Sequence, residues 1–182
     1  AQDYDFQTGM DAYQSGDYAT ALENFTEGAR IGHAPAQYNL AVMYHQGIGT
    51  AADPERAMQL YALSAQQGVV RSQYELGRMY DSGDGVAQDY REAYYWYEQA
   101  AEQGNAEAQY AVGTMNFYGQ GRPEDPAEAI EWYHLAAEQG HGDAQYNLGV
   151  MYINGMGTAP DQEQALQWFE RAAANGSADG SY

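Results

Sequence analysis

The chain has 182 residues and a formal net charge of −19, with 26 Asp and Glu against 7 cationic side chains, all of them Arg. That balance argues against nucleic-acid backbones and anionic lipid surfaces as partners, because both need clustered Lys and Arg, and favours neutral or basic ones. Without a cysteine, disulfides, thiol nucleophiles and thiolate metal sites fall away together. An apolar fraction of 45% excludes wholesale disorder. No apolar run approaches the roughly 18 residues of a spanning helix, so direct membrane insertion is not expected.

The chain opens at Ala1-Gln2 without a methionine, which reads as a mature end left by signal cleavage, with a trimmed start as the alternative. A periplasmic or secreted location is the expectation, and a cytoplasmic one the fallback. Over residues 1–33, Gly9, Ala12, Tyr13, Gly16-Asp17-Tyr18, Ala21, Phe25, Ala29 and Gly32 predict a helix–turn–helix with a tight turn, of tetratricopeptide type, serving as an N-terminal cap.

From residue 34 to 176 the same residues return every 36 positions, four times over. Gln37-Tyr38 becomes Gln73-Tyr74, Gln109-Tyr110 and Gln145-Tyr146, and the pair Gly47/Gly49 becomes Gly83/Gly85, Gly119/Gly121 and Gly155/Gly157. Asp53, Asp89, Asp125 and Asp161 keep step, as do Ala57, Ala93, Ala129 and Ala165. A period of this size without insertions marks stacked supersecondary units rather than one central core.

Within one unit, Tyr74, Leu76, Gly77, Met79 and Tyr80 fall at helical spacing and predict a first helix. Gly83-Asp84-Gly85 ends it, since paired glycines weaken a helix and permit positive φ. A second helix opens at Asp89, an N-cap residue with Glu92 three positions on, and Asp125-Pro126 with Glu128 writes the same signal most clearly. That helix ends at Gly104. Each hairpin therefore holds two helices of roughly 12 residues and about 18 Å. Trp96, Trp132 and Trp168, with Leu60 in the equivalent place, are expected to fill the core beside the small alanines. Tyr95 aligns with Gln59, Glu131 and Gln167 and should be exposed. Residues 177–182 are expected to form a flexible tail.

The string Ala144-Gln145-Tyr146-Asn147-Leu148-Gly149-Val150-Met151-Tyr152, continued by Gly155, Gly157, Asp161, Ala165, Trp168 and Phe169, resembles the Sel1-like repeat family, a relative of the tetratricopeptide repeat. Ser72–Gly104 and Ala108–Gly140 match it as well, with Ala41 and Asn116 as the main departures. The resemblance implies an all-α, right-handed α/α superhelical solenoid whose first helices line a concave groove. It further implies an adaptor that holds peptides or proteins in bacterial envelopes, host contact or quality control.

No catalytic constellation is expected, and no cofactor or metal site. The histidines His33, His45, His134 and His141 are read as sharing no repeat position, and His134 and His141 lack ligand spacing. Asp81-Ser82-Gly83-Asp84-Gly85 lacks the spacing and final Glu of a calcium loop. There is no Ser-x-x-Lys motif. The expected function is a non-catalytic scaffold for a neutral or basic protein or peptide. The alternatives are a dedicated regulator or immunity-type inhibitor of one protein, and a peptidoglycan-related binder with weak enzymatic activity.

First-helix positions that change from copy to copy are those free to contact a ligand. They are Asn39, Val42, His45 and Gln46, then Glu75, Arg78, Asp81 and Ser82, then Thr114, Phe117 and Tyr118, then Asn147, Val150, Ile153 and Asn154. Asn39 and Asn147 suit a peptide main chain, because an amide both donates and accepts. Phe117 and Tyr118 supply an aromatic anchor, and Arg78 is the cation expected on this surface.

Overall fold

A computed structural model of the protein describes residues 4–176, and every one of its regular elements among them is a helix. The expected tail at 177–182 and the start at Ala1-Gln2 lie outside the described residues. Ten helices run in order: α1 (Phe6–Ser15), α2 (Tyr18–Arg30), α3 (Ala34–Gln46), α4 (Pro54–Gln66), α5 (Val70–Ser82), α6 (Tyr90–Glu102), α7 (Ala106–Tyr118), α8 (Pro126–Glu138), α9 (Gly142–Asn154) and α10 (Gln162–Ala174). Two compact units divide after Asp89. In the first, α1 to α5 each pack on the next in sequence; in the second, α6 to α10 do the same.

Helix ends follow the predicted signals. Asp53, Asp125 and Asp161 cap α4, α8 and α10, each side chain accepting an N–H three residues on at 3.0 Å. The first helices stop at αL glycines: Gly83 (φ 75°) donates its N–H to the Met79 carbonyl. The second glycine of each pair has a different task. A Cβ on Gly85 would stand 2.5 Å from the Pro54 carbonyl oxygen, and one on Gly157 would meet Pro126 at the same distance. The turn of one repeat thus rests on the backbone that opens the previous repeat's second helix, and only glycine allows that approach.

The recurrent glutamine welds neighbouring helices. Gln145 is fully buried; its amide donates to the Ala137 carbonyl at 2.9 Å and its oxygen accepts from Asn175 at 2.8 Å. Gln109 repeats the pattern with the Ala101 carbonyl and Gln139. In the first unit, Gln37 accepts from Gln67 at 2.8 Å. Buried amides satisfied on both sides fix the register between helices, because an unpaired one would be costly.

The alanines are buried as expected, Ala57, Ala93 and Ala129 entirely. The tryptophans differ from expectation. Trp96 and Trp132 are only half-buried, whereas the next residue, Tyr97 or Tyr133, is buried, as is Tyr61 in the repeat before. One step along a helix turns a side chain by about 100°, and the tyrosine is the one aimed at the facing first helix. At Gly113 a Cβ would stand 2.7 Å from the Tyr133 ring, so the helix-α7 glycine makes room for that ring. Trp168 alone of the three lies in the core, 5% exposed, among Ala129, Ile130, Leu148 and Met151. Leu60 is likewise half-buried.

A second correction concerns histidine. His33 and His141 occupy the same repeat position and do the same work: each Nδ1 accepts the N–H three residues on, at Ala36 and Ala144, at 3.2 Å. Asn105 caps α7 from that position, accepting from Ala108 at 2.8 Å, and Val69 leaves α5 without a side-chain cap.

Candidate functional site

In the first unit, five predicted residues converge. Val42, His45 and Gln46 from α3 and Glu75 and Arg78 from α5 line a cavity of about 310 Å³, with Tyr38 and Tyr61 completing its wall. Its charges are internally matched. Arg78 contacts Glu75 at 3.1 Å, and His45 Nε2 stands 2.7 Å from Asp84 in the turn after α5. Burial raises the Tyr61 hydroxyl well above its ordinary range, so it stays protonated. Asn39 is drawn away towards α1, its amide 3.2 Å from the Met10 sulfur. Asp81 and the exposed Ser82 do not line the cavity; the Asp81 carbonyl accepts from Gln88, and the Ser82 hydroxyl donates to the Arg78 carbonyl.

In the second unit, Phe117 and Tyr118 from α7 and Asn147 and Val150 from α9 line a smaller cavity of about 100 Å³. Tyr133, Met151 and Met156 complete it, and none of these three was predicted to face a ligand. Thr114 stands just behind, its hydroxyl 3.1 Å from the Tyr133 hydroxyl. Burial pushes that phenol up to about 12. Ile153 and Asn154 lie exposed beyond the cavity, where Asn154 donates to the Val150 carbonyl. Tyr118 is 67% exposed. Phe117 packs on the unit's hydrophobic core as well as on the cavity, so it serves structure and surface together.

Other sequence-predicted features fall as follows. Tyr95 is 50% exposed, edge-on to Trp96. No group of three or more His, Asp or Glu side chains suited to a metal ion occurs among the described residues. No helix among them is long and apolar enough to cross a membrane.

Residues 34–69, 70–105, 106–141 and 142–177 each match the Sel1 repeat. The chain belongs to the Sel1 repeat family. Sel1 repeat proteins are generally non-catalytic, protein-interaction scaffolds. Among solved structures, a protective antigen of uropathogenic Escherichia coli that displays an SLR fold is 34% identical over 96% of this chain, with a TM-score of 0.91. This chain spans 38% of that protein's length. A Sel1 repeat protein from Oxalobacter formigenes is 31% identical over 97% of this chain and 72% of its own, also at TM-score 0.91. An immunity protein from Pseudomonas aeruginosa shares the fold at 20% identity and TM-score 0.54, covering 95% of this chain and 67% of its own. No curated protein matches the chain.

Proposed function

We propose that this Sel1 repeat chain is a scaffold that holds peptide segments of partner proteins on the faces of its first helices. One observation carries the reading. In each unit the copy-variable residues of two first helices meet at a cavity, floored by the same recurrent tyrosine, Tyr61 or Tyr133. Variable side chains around a fixed floor are what a repeat protein needs to alter recognition without altering its packing. The net charge of −19 favours neutral or basic segments. A periplasmic or secreted setting belongs to the proposal, and cell fractionation tests it.

The test is selection of binding peptides from a random displayed library on the full chain, followed by affinity measurement. Tyr118→Ala and Val42→Asp should each weaken some of the selected peptides at least tenfold, a loss of about 1.4 kcal/mol or more. Because Tyr118 is largely exposed, its removal should leave the melting curve nearly unchanged, whereas adding Phe117→Ala also lowers stability. Selected peptides indifferent to every first-helix variant, yet sensitive to changes on the second helices, would move the surface elsewhere and sink the reading.

A further inference from the structure

The two cavities occupy equivalent places 72 residues apart in the repeat pattern, so their chemistry can be compared position by position. His45 in the first becomes Phe117 in the second, and Asp84 becomes Met156. The ion pair of Glu75 with Arg78 becomes Asn147 beside Val150. Every charged side chain of the α3/α5 site is therefore replaced by an uncharged one in the α7/α9 site. We infer that the α7/α9 cavity takes one aliphatic side chain from a positively charged segment of a partner protein, and that the α3/α5 cavity does not. This rests on the scaffold reading above and names what one of its two sites selects.

Three observations support it. An apolar group entering the α7/α9 cavity strips water from thioether, valine and ring surface beside the Asn147 amide, whereas in its counterpart it would desolvate the Glu75–Arg78 ion pair and the His45 contact with the Asp84 carboxylate. A cavity of about 100 Å³ falls below the 150 Å³ that accommodates benzene in an apolar protein interior, so an unbranched or γ-branched aliphatic chain fits and an indole does not. Its rim is exposed and largely apolar: Met156 and Tyr118 are exposed by 38% and 67%, and methionine adapts to irregular apolar guests. The charge of the flanking segment follows from the unit's acidity. Residues 90–176 hold 13 Asp and Glu against three Arg, at 91, 122 and 171, with Arg122 and Arg171 bound to Glu128 and Glu138 at 2.8 and 3.1 Å, so the acid excess calls for Lys or Arg on the partner.

The experiment uses the full chain with carbon-13 methionine methyls and nine-residue probe peptides made of lysine and glycine around one central residue. A central leucine should shift the Met151 and Met156 methyl signals and leave those of Met43 and Met79 in place. An alanine or tryptophan centre should bind at least fivefold more weakly, and so should the leucine peptide with glutamate in place of lysine. Val150→Glu should abolish the response, with a thermal melt confirming the fold, and Tyr118→Ser provides a second, exposed variant. Shifts at Met43 and Met79 instead, or equal binding of leucine and alanine peptides, would overturn the assignment of the apolar site. So would the absence of any response to the leucine peptide. Those results leave the scaffold reading to be decided by the selected peptides and their sensitivity to first-helix variants.

Discussion

Asn116 stands where the neighbouring repeats place Tyr44, Tyr80 and Tyr152, and the substitution is answered by two others. It is fully buried, and its amide donates to the Val112 carbonyl at 3.0 Å and to the Tyr94 hydroxyl at 3.3 Å. Arg122, at a position held by Thr50, Val86 and Thr158 elsewhere, also donates to that hydroxyl and grips Glu128 at 2.8 Å. In the first repeat the ring itself is kept, and Arg56 lies 4.5 Å over Tyr44. One volume is thus filled in two ways, by a ring or by an amide with a guanidinium. Asn116→Tyr and Arg122→Thr should each destabilise by about 1–3 kcal/mol, since each leaves crowding or a polar group without its partner. The double variant should lose less than their sum, a coupling that a double-mutant cycle by chemical denaturation measures. Strict additivity would show that the two positions do not share the space. The aromatic pairs give a second residue-scale expectation. Tyr133→Ala and Trp168→Ala remove buried rings and should cost roughly 3–5 kcal/mol, while the half-buried Trp132 should cost less. Coupling between neighbouring repeats would by itself make a tryptophan in the middle of the stack cost more than one near its end, and burial reverses that order. A larger loss at Trp132 than at Trp168 would restore that ranking.

Helix boundaries were legible because their causes are local: Asp caps, proline at the first turn and αL glycine need only neighbours in sequence. Which aromatic enters the core was not, since Trp and Tyr at adjacent positions differ only in the direction they face, and that is set by the facing helix. Gln145 was visible as a recurrence, but its two hydrogen bonds, donated to Ala137 and accepted from Asn175, join residues 8 and 30 positions away. The cavity floors were missed for a related reason. Tyr61 and Tyr133 recur at a position that also packs the core, so recurrence alone does not separate a cavity floor from packing, and Met156 arrives from a turn beyond α9. A half-buried histidine links three elements. His134 on α8 contacts the Tyr152 hydroxyl of α9 at 2.8 Å and lies edge-on to Trp168 of α10, at 5.2 Å between centroids. Burial lowers its pKa, against the opposing pull of Glu131 and Glu138 and with some help from Arg171. The folded state therefore binds this proton less readily than the unfolded chain. Its stabilising share is complete above the unfolded value near 6.5 and is lost as pH falls through that value towards the lower folded one. Stability should decline as pH falls below about 6.5, and His134→Phe should flatten the decline. An unchanged slope in that variant would place its origin in other groups.

At the scale of the whole molecule the dominant quantity is charge, and it acts on stability and recognition in opposite directions. With 26 acids against 7 Arg, the folded chain holds like charges closer together than the unfolded one, a self-repulsion that added salt screens. The ion pairs seen do not offset this strongly. Arg30 with Glu27 and Arg171 with Glu138 are exposed pairs of a kind worth little. Raising sodium chloride from about 20 to 300 mM shortens the screening length from roughly 20 Å to below 8 Å, and should raise the melting temperature. The same change should weaken the lysine-flanked leucine peptide, chiefly through slower association, because steering by the acidic surface is lost. An apolar anchor alone would behave differently, holding or tightening as salt rises. Melting curves and association rates over one salt series therefore separate the two contributions. A rate that does not fall with salt would show that the acidity serves only the solvated surface, and the partner's positive charge would have to be given up while its aliphatic anchor could stand.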